Sequence, residues 1–382
     1  MNYFIPFFMM SFLLGSCAPF GGGPNALEMK DRFRGATLGT YLGDALGKGV
    51  EYVYRHRPEQ APKSYVDRSI IKMEERRDSR YPGLDGYQPA GTYTDDTEEM
   101  IALLNSLVEN RGWVDQQHLA KSLGQHFRFN HGYSSKTSKL LKKLKERPAD
   151  WKEIVMTKNR MVYESNGCAM RIAPIGLLGY KLSDGELRSL VTRQCQVTHP
   201  GSVSIEGAAL VAKAIQLALK SPIGRFSPEK FVGELILFCQ HPALCERLKN
   251  VRVLLYKNPS LVDEVRALRN KNELGVGFKI LDSIPAVIYL VARYHRSLEK
   301  GLNAAVQVSL AGDSDTIPAM VGAILGAYHG FSTFPKYWLD QLYDGTSAWE
   351  KRVSAKREQQ DLGFISWKEV LWQTDKLYSL VP

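Results

Sequence analysis

The chain has 382 residues, 44% of them hydrophobic and 24% charged, with a formal net charge of +10. Those proportions belong to a soluble globular protein of one large or two ordinary domains, and the positive balance suits either an anionic partner or plain solubility. The five cysteines, Cys17, Cys168, Cys195, Cys239 and Cys245, show no C-x-x-C spacing, which argues against a zinc site or a disulfide framework.

Residues 1–20 carry no charged side chain and are mostly apolar, a stretch short for a membrane span. Leu14-Gly15-Ser16-Cys17 resembles a bacterial lipobox, in which the cysteine is lipidated after cleavage, but no Lys or Arg precedes it. Residues 1–26 are therefore read as a signal or lipoprotein segment, with Gly21 to Asn25 as its spacer, and residues 27–382 as one domain. That reading places the protein in the cell envelope. The alternative is a true start farther on and a cytoplasmic protein.

From Arg34 to Val50 small residues dominate, with Gly35, Ala36, Gly39, Gly43, Ala45 and Gly47. A helix of this composition packs backbone-close against its neighbours, at a propensity cost for each glycine. Residues 55–90 are rich in charge, Pro and Gly, and predict a long loop or flap of the kind that often carries function. Helices are predicted over 113–129 and 137–147. Lys136, Lys139, Lys142, Lys143, Lys145 and Arg147 lack interleaved aromatics, so they are read as a solvated helix face and not as a nucleic-acid surface. Further helices are expected over 208–219, 231–238, 244–255, 284–294 and 302–310. No alternating strand pattern of useful length occurs, so the fold class is all-α. The tail from Phe331 is rich in aromatics (Phe334, Tyr337, Trp338, Trp349, Trp367, Trp372, Tyr378) and is expected to pack back onto the body.

Chemistry concentrates in Gly312-Asp313-Ser314-Asp315-Thr316, which opens the apolar run from Ile317 to Tyr328. Pro318 suits a first helical turn, which makes Thr316 the expected N-cap. Two carboxylates so close repel each other unless a cation compensates them. A calcium EF-hand is excluded, because Pro318 and Ile324 stand where that loop needs Gly and Glu. Alone, the pair could be a simple helix-capping device. A second copy, Thr94-Asp95-Asp96-Thr97 after Gly91, opens another apolar-periodic segment containing Met100, Ile101, Leu103, Leu104, Leu107 and Val108. If the two helix starts converge, they form an oxygen-only cage for one or two divalent ions. Magnesium or manganese suits it better than zinc, since neither motif contains Cys or His.

Three other stretches could line such a site. The loop Asn130 to Ser135, with Gly132, Tyr133, Ser134 and Ser135, feeds a helix start and so presents backbone N–H groups to an anion. Asn166 and Gly167 either hydrogen-bond a ribose or diphosphate or form a tight turn. His199, before Pro200, either lines a pocket or is a satisfied structural histidine. Cys168 is read as a small buried hydrophobe.

The pairing of Thr94-Asp95-Asp96-Thr97 with Gly312-Asp313-Ser314-Asp315-Thr316 resembles the ADP-ribosylglycohydrolase family, which includes the dinitrogenase-reductase-activating glycohydrolases. The similarity runs from about Asp31 to Tyr328. It takes in Phe33-Arg34-Gly35, Gly43-Asp44-Ala45-Leu46-Gly47, Ser165 to Pro174, and Thr198-His199-Pro200, in that order. Met29 would be a natural beginning for a member of this family. The resemblance implies a single domain of many helices. It also implies a Mg²⁺-dependent hydrolase, with two ions and Mn²⁺ able to substitute, that cleaves the glycosidic bond at the ribose anomeric carbon of an ADP-ribosyl group. It assigns the metal to Thr94, Asp95, Asp96, Asp313, Asp315 and Thr316, and catalysis to Glu51, Asp96 and Asp315. The Gly132 loop would contact the pyrophosphate, although Ser134 stands where the family usually has another glycine, and Cys168 where it has Ala or Gly. The substrate is then an ADP-ribosylated protein or small molecule. No stable nucleic-acid partner is expected, the membrane is reached only through the N-terminal lipid, and the protein is expected to be a monomer. A catalytically silent ADP-ribose binder and a metallophosphohydrolase are the rival readings.

Overall fold

Reading from the N-terminus, the helices are α1 (Ala26–Lys48), α2 (Asp95–Glu109), α3 (Gln116–His126), α4 (Ser135–Glu146), α5 (Trp151–Val155) and α6 (Gly167–Met170). There follow α7 (Ala173–Leu178), α8 (Asp184–Gln196), α9 (Ser202–Lys220), α10 (Pro228–Phe238), α11 (Pro242–Lys257) and α12 (Leu261–Arg269). The last are α13 (Ile280–Tyr294), α14 (Leu298–Ser309), α15 (Thr316–His329), α16 (Lys336–Leu339) and α17 (Trp367–Ser379). This computed structural model describes residues 25–51, 60–62, 73–77, 87–156, 164–346, 349 and 363–381. Within them the only sheet is a two-stranded antiparallel ribbon, β1 (Arg76–Arg77) on β2 (Tyr87–Gln88), with Arg76 opposite Gln88. The all-α class holds. The lipobox segment, and most of the loop predicted over 55–90, lie outside the described residues.

Helix α1 is buried along most of its length, and its glycines explain how. Gly35, Gly39, Gly43 and Gly47 recur every fourth residue, which puts them in one row along the helix. The facing row on and before α15 is Gly326, Gly322, Pro318 and Ser314, again four apart. A Cβ added at Gly39 would strike the Gly322 carbonyl, and one at Gly35 the Gly326 carbonyl. At the far end Gly47 backs onto the Ser314 carbonyl, so the seam runs directly into the Gly312-to-Thr316 loop. The close packing expected from the small residues is this contact, and it fixes where that loop sits.

The tail packs on the outer side of α1. Phe33 meets Tyr378 edge-on with ring centroids 5.0 Å apart, the Arg34 Nε donates to Asp375 at 2.7 Å, and Thr37 and Thr374 share a hydroxyl hydrogen bond of 2.8 Å. Trp338 and Trp349 are buried, but Trp372 is 52% exposed. Helix α9 is apolar and long enough to cross a membrane by composition, yet most of it is buried among the other helices. The α4 lysines lie on an exposed face, as predicted.

Two expectations are corrected. The cap of α15 is Asp315 and not Thr316: its Oδ1 accepts from the Thr316 N–H at 2.9 Å, because the loop turns one residue earlier. Cysteine is also not wholly reduced, since Cys239 at the end of α10 is joined to Cys245 in the first turns of α11. Spacing alone could not reveal a pair brought together by a helix–helix corner. Cys168 and Cys195 are free and buried. Closing so short a loop is worth about 2 kcal/mol, so Cys239→Ser should lower the melting temperature by several degrees, and reductant should lower that of the parent equally. Identical melts for parent and variant under oxidising conditions would contradict this.

Candidate active site

The first turn of α2 carries three acids, Asp95, Asp96 and Glu98, where the helix dipole favours negative charge, and Glu99 follows. Successive residues point about 100° apart, so each acid meets a different neighbour. Glu98 turns to the 128–133 loop: it accepts from the Tyr133 hydroxyl at 2.7 Å and the Arg128 N–H at 3.0 Å, and His131 Nδ1 lies 2.9 Å away. Glu99 pairs with the buried Arg171 at 2.6 Å, and Arg171 also donates to Gln194 and to Thr198. Asp95, Asp96 and Glu99 all line the cleft.

Asp44, in the body of α1, holds this turn in place. Its carboxylate accepts from the Thr94 N–H (3.0 Å) and hydroxyl (2.9 Å) and from the Thr97 N–H (3.1 Å) and hydroxyl (2.7 Å). The Thr94 hydroxyl oxygen also lies 3.1 Å from Asp96 Oδ2 and 3.5 Å from Asp315 Oδ2. The two helix starts therefore do converge. Carboxylate oxygens of Asp44, Asp96 and Asp315 fall within 4.8 Å of one another, as do those of Glu51, Asp313 and Asp315.

This concentration of charge costs energy. Burial first, then the neighbouring Asp315, Asp44, Asp95 and Asp313, hold the Asp96 carboxyl well above the usual range. Desolvation and then Asp315, Glu99 and Glu51 do the same to Asp95. Asp44 is pushed up to about 6 by burial and Asp315, against the pull of its threonine donors. Burial pushes the Lys48 ammonium down to about 7. Lys48 donates to the Thr92 hydroxyl at 2.7 Å and so ties the segment before Thr94 to α1.

The acids form one wall of a cleft of about 850 Å³. Glu51, Asp95, Asp96, Gly132, Ser134, Ser135, Asn166, Gly167, His199, Asp313, Asp315 and Thr316 line it. Thr94 and Tyr133, both predicted for the site, do not. The Thr94 hydroxyl nevertheless lies among the acids, within 3.5 Å of Asp44, Asp96 and Asp315. The Tyr133 side chain is turned into the core by its bond to Glu98, so its expected role as a ligand contact is corrected to anchoring the loop. Gly132 has φ of +102°, a conformation that favours glycine, and a Cβ there would press on Arg76 and Asp95. Asn166 Nδ2 donates to Asp313 Oδ2 at 2.6 Å, and Gly167 leaves room for the His199 ring. The other wall, Val276 to Lys279, is held by the Asp313 N–H to Val276 carbonyl bond of 2.8 Å and the Asn166 N–H to Phe278 carbonyl bond of 3.0 Å.

Sequence reading missed Asp44 and Arg171 as positioning residues, and Arg76. Asp44 and Arg171 stood inside the quoted blocks, but nothing in their spacing revealed which threonines or acids they reach. Arg76 enters from the ribbon: its Nη2 lies 2.7 Å from Glu51 Oε2 and its Nη1 4.0 Å from Asp315 Oδ2.

A cation fits these donors on one observation of the fold itself. Asp96 Oδ1 is fully buried and has no hydrogen-bond partner among the described residues, a cost that a hard cation among oxygen ligands removes. The chain also matches the family model for ADP-ribosylglycohydrolase over residues 25–362. The chain belongs to the ADP-ribosylglycohydrolase family. Members of this family are metal-dependent hydrolases of ADP-ribosylated substrates. The chain is 30% identical to "ADP-ribosylhydrolase ARH3" of Bos taurus over 349 residues, covering 83% of this chain and 90% of that protein. The human protein of the same name is also 30% identical, over 352 residues, with coverages of 82% and 89%. A solved structure described as an "ADP-ribosylglycohydrolase-related protein complex" superposes with a TM-score of 0.62 over 93% of this chain and 100% of that one, at 23% identity, and so shares the ADP-ribosylglycohydrolase fold.

Asp44 gives a test of the positioning argument. Asp44→Asn keeps the shape but replaces an acceptor facing the Thr97 N–H by a donor. The loss of a charge-assisted bond costs about 2 kcal/mol and loosens the Asp95–Asp96 turn. Turnover should fall at least tenfold with a lowered melting temperature. Unchanged turnover would show that the turn holds without Asp44.

Proposed function

We propose that this chain hydrolyses the glycosidic bond at the anomeric carbon of an ADP-ribosyl group, with two magnesium ions, replaceable by manganese, held by Thr94, Asp95, Asp96, Asp313, Asp315 and Thr316. The observation that carries the reading is the convergence of both acid motifs around the orphaned Asp96 Oδ1, beside a glycine loop open to the same cleft. Bound magnesium supplies fixed positive charge that orients ribose hydroxyls and the attacking water.

The chain's own groups do the rest. Gly132, Ser134 and Ser135, at the start of α4, offer N–H and hydroxyl donors to the diphosphate, and that remote binding positions the ribose. Asn166, steered by Asp313, and His199 face the same space and hold the sugar. Glu51 or one of the aspartates accepts a proton from the water as its oxygen bonds to the anomeric carbon and the leaving group departs with the bonding pair. The surrounding carboxylates stabilise the positive charge that develops on the ribose.

The test is incubation with defined ADP-ribosylated peptides and small molecules, followed by mass analysis. Free ADP-ribose supports the reading. AMP-type products would instead favour a phosphohydrolase, and binding without product a silent binder. Chelation should abolish ADP-ribose release and added Mg²⁺ should restore it. Full turnover after exhaustive chelation would remove the metal from the mechanism.

A further inference from the structure

Buried carboxylates this close must be neutralised by something, and the fold supplies a cation of its own. Arg76 is 4% exposed, and its guanidinium stands among Glu51, Asp315 and Asp95, beside Gly132. Its charge is among the influences that pull the Asp95 carboxyl back down. It does not come from the helices that carry the acids. It comes from β1, a two-residue strand paired with β2, whose segment is anchored by the buried Met73, by Glu74 against Gly49 and by the Tyr87 hydroxyl on Glu75.

We propose that Arg76 is a tethered counter-cation of the acid cluster, which holds the metal-free site together and is expelled from it when a divalent ion binds. The proposal rests on the metal reading above. A divalent ion at Asp315 places like charge against a guanidinium already within ion-pair distance of that carboxylate, and like charges at such separations disfavour one another strongly in a buried site. The two cations therefore compete for the same oxygens. Thermodynamic linkage makes the competition reciprocal: Arg76 weakens metal binding by the factor by which the metal weakens the seating of Arg76. Displacement would also release Glu51 from its 2.7 Å partner, so that it could accept a proton only once the ion is in place.

Calorimetric Mg²⁺ titration of the full chain, the Arg76→Gln variant and the Arg76→Lys variant tests this, with thermal melts of each in EDTA and in excess Mg²⁺. Arg76→Gln should bind Mg²⁺ about tenfold more tightly, within the usual range of coupling between two sites. It should melt lower than the parent in EDTA and regain most of the difference in Mg²⁺. Arg76→Lys keeps the charge and should stay near the parent affinity. Equal or weaker Mg²⁺ binding by Arg76→Gln would overturn the proposal while leaving the metal site intact, whereas absence of Mg²⁺ binding by the parent and by both variants would overturn both readings. Should Arg76→Gln fail to fold, hydrogen exchange on the parent decides. Mg²⁺ should speed exchange at the Arg76–Arg77 and Tyr87–Gln88 amides, and unchanged protection there would overturn the proposal.

Discussion

Gly39→Ala should leave little folded protein. The added methyl group would lie inside the van der Waals envelope of the Gly322 carbonyl, and that neighbour is backbone in the middle of α15, with no rotamer to move. The only relief is to part α1 from α15, which opens the seam along four turns and drags the Ser314 loop away from Gly47. Ordinary overpacking costs about 1–3 kcal/mol. A backbone-on-backbone clash between two buried helices should exceed about 4 kcal/mol, a large share of a net stability of about 5–15 kcal/mol. Gly233→Ala is the control: no described residue lies within 4 Å of its Cβ position on α10, so the better helix former should be neutral or slightly stabilising. Soluble yield and melting temperature measure both. A Gly39→Ala protein melting within a few degrees of the parent would refute the seam.

Asp96→Asn and Asp315→Asn should lose nearly all turnover, by three orders of magnitude or more, while remaining folded. Each removes one ligand charge with almost no change of shape. Without metal, Asp96→Asn should melt higher than the parent, because burial and four carboxylate neighbours disfavour the charge that it deletes. The sign with pH follows. A carboxyl whose folded pKa is raised holds its proton in the fold after the unfolded chain has lost it, so stability falls as pH rises through that window. For Asp44 the window runs from 3.8 to about 6, and Asp95 and Asp96 are shifted in the same direction. The metal-free parent should therefore lose stability as pH rises above about 4, and Asp96→Asn should lose less. Metal affinity should rise over the same span, since binding requires deprotonated ligands. Melts in EDTA at pH 5 and pH 8 settle the first point. A parent whose metal-free stability climbs across that span, with no difference between parent and variant, would contradict the electrostatic account.

The acids were legible because chemistry and spacing coincide: Asp95-Asp96 and Asp313-x-Asp315 announce themselves by residue type at helix starts. The seam was legible too, since glycines four apart fall on one helix face. What stayed hidden depends on which way a side chain turns or on contacts across long stretches of chain. Tyr133 sits in a polar loop, and its neighbours, Glu98 on α2 and the Phe127 ring, hold its ring inward. Asp44 is one acid within a small-residue helix, and its four donors come from residues fifty positions away. Arg76 lay in a charge-rich stretch with no pattern to distinguish it from its neighbours. Cys239 and Cys245 meet only because α10 and α11 turn a corner.

The contact of α1 with α15 also sets what the site can measure. Asp44 and Asp315 are mounted on helices that touch main chain to main chain, so they make up a fixed jaw. Glu51, on the connecting segment past α1, makes up a yielding one. An ion with oxygen distances of about 2.0–2.1 Å and one needing about 2.3–2.6 Å present different gauges to such a vice. The larger must push the yielding jaw outward, since the seam cannot spread. Choice between ions of equal charge then depends on glycines such as Gly35 and Gly326, at the end of the seam remote from any ligand, as much as on the carboxylates themselves.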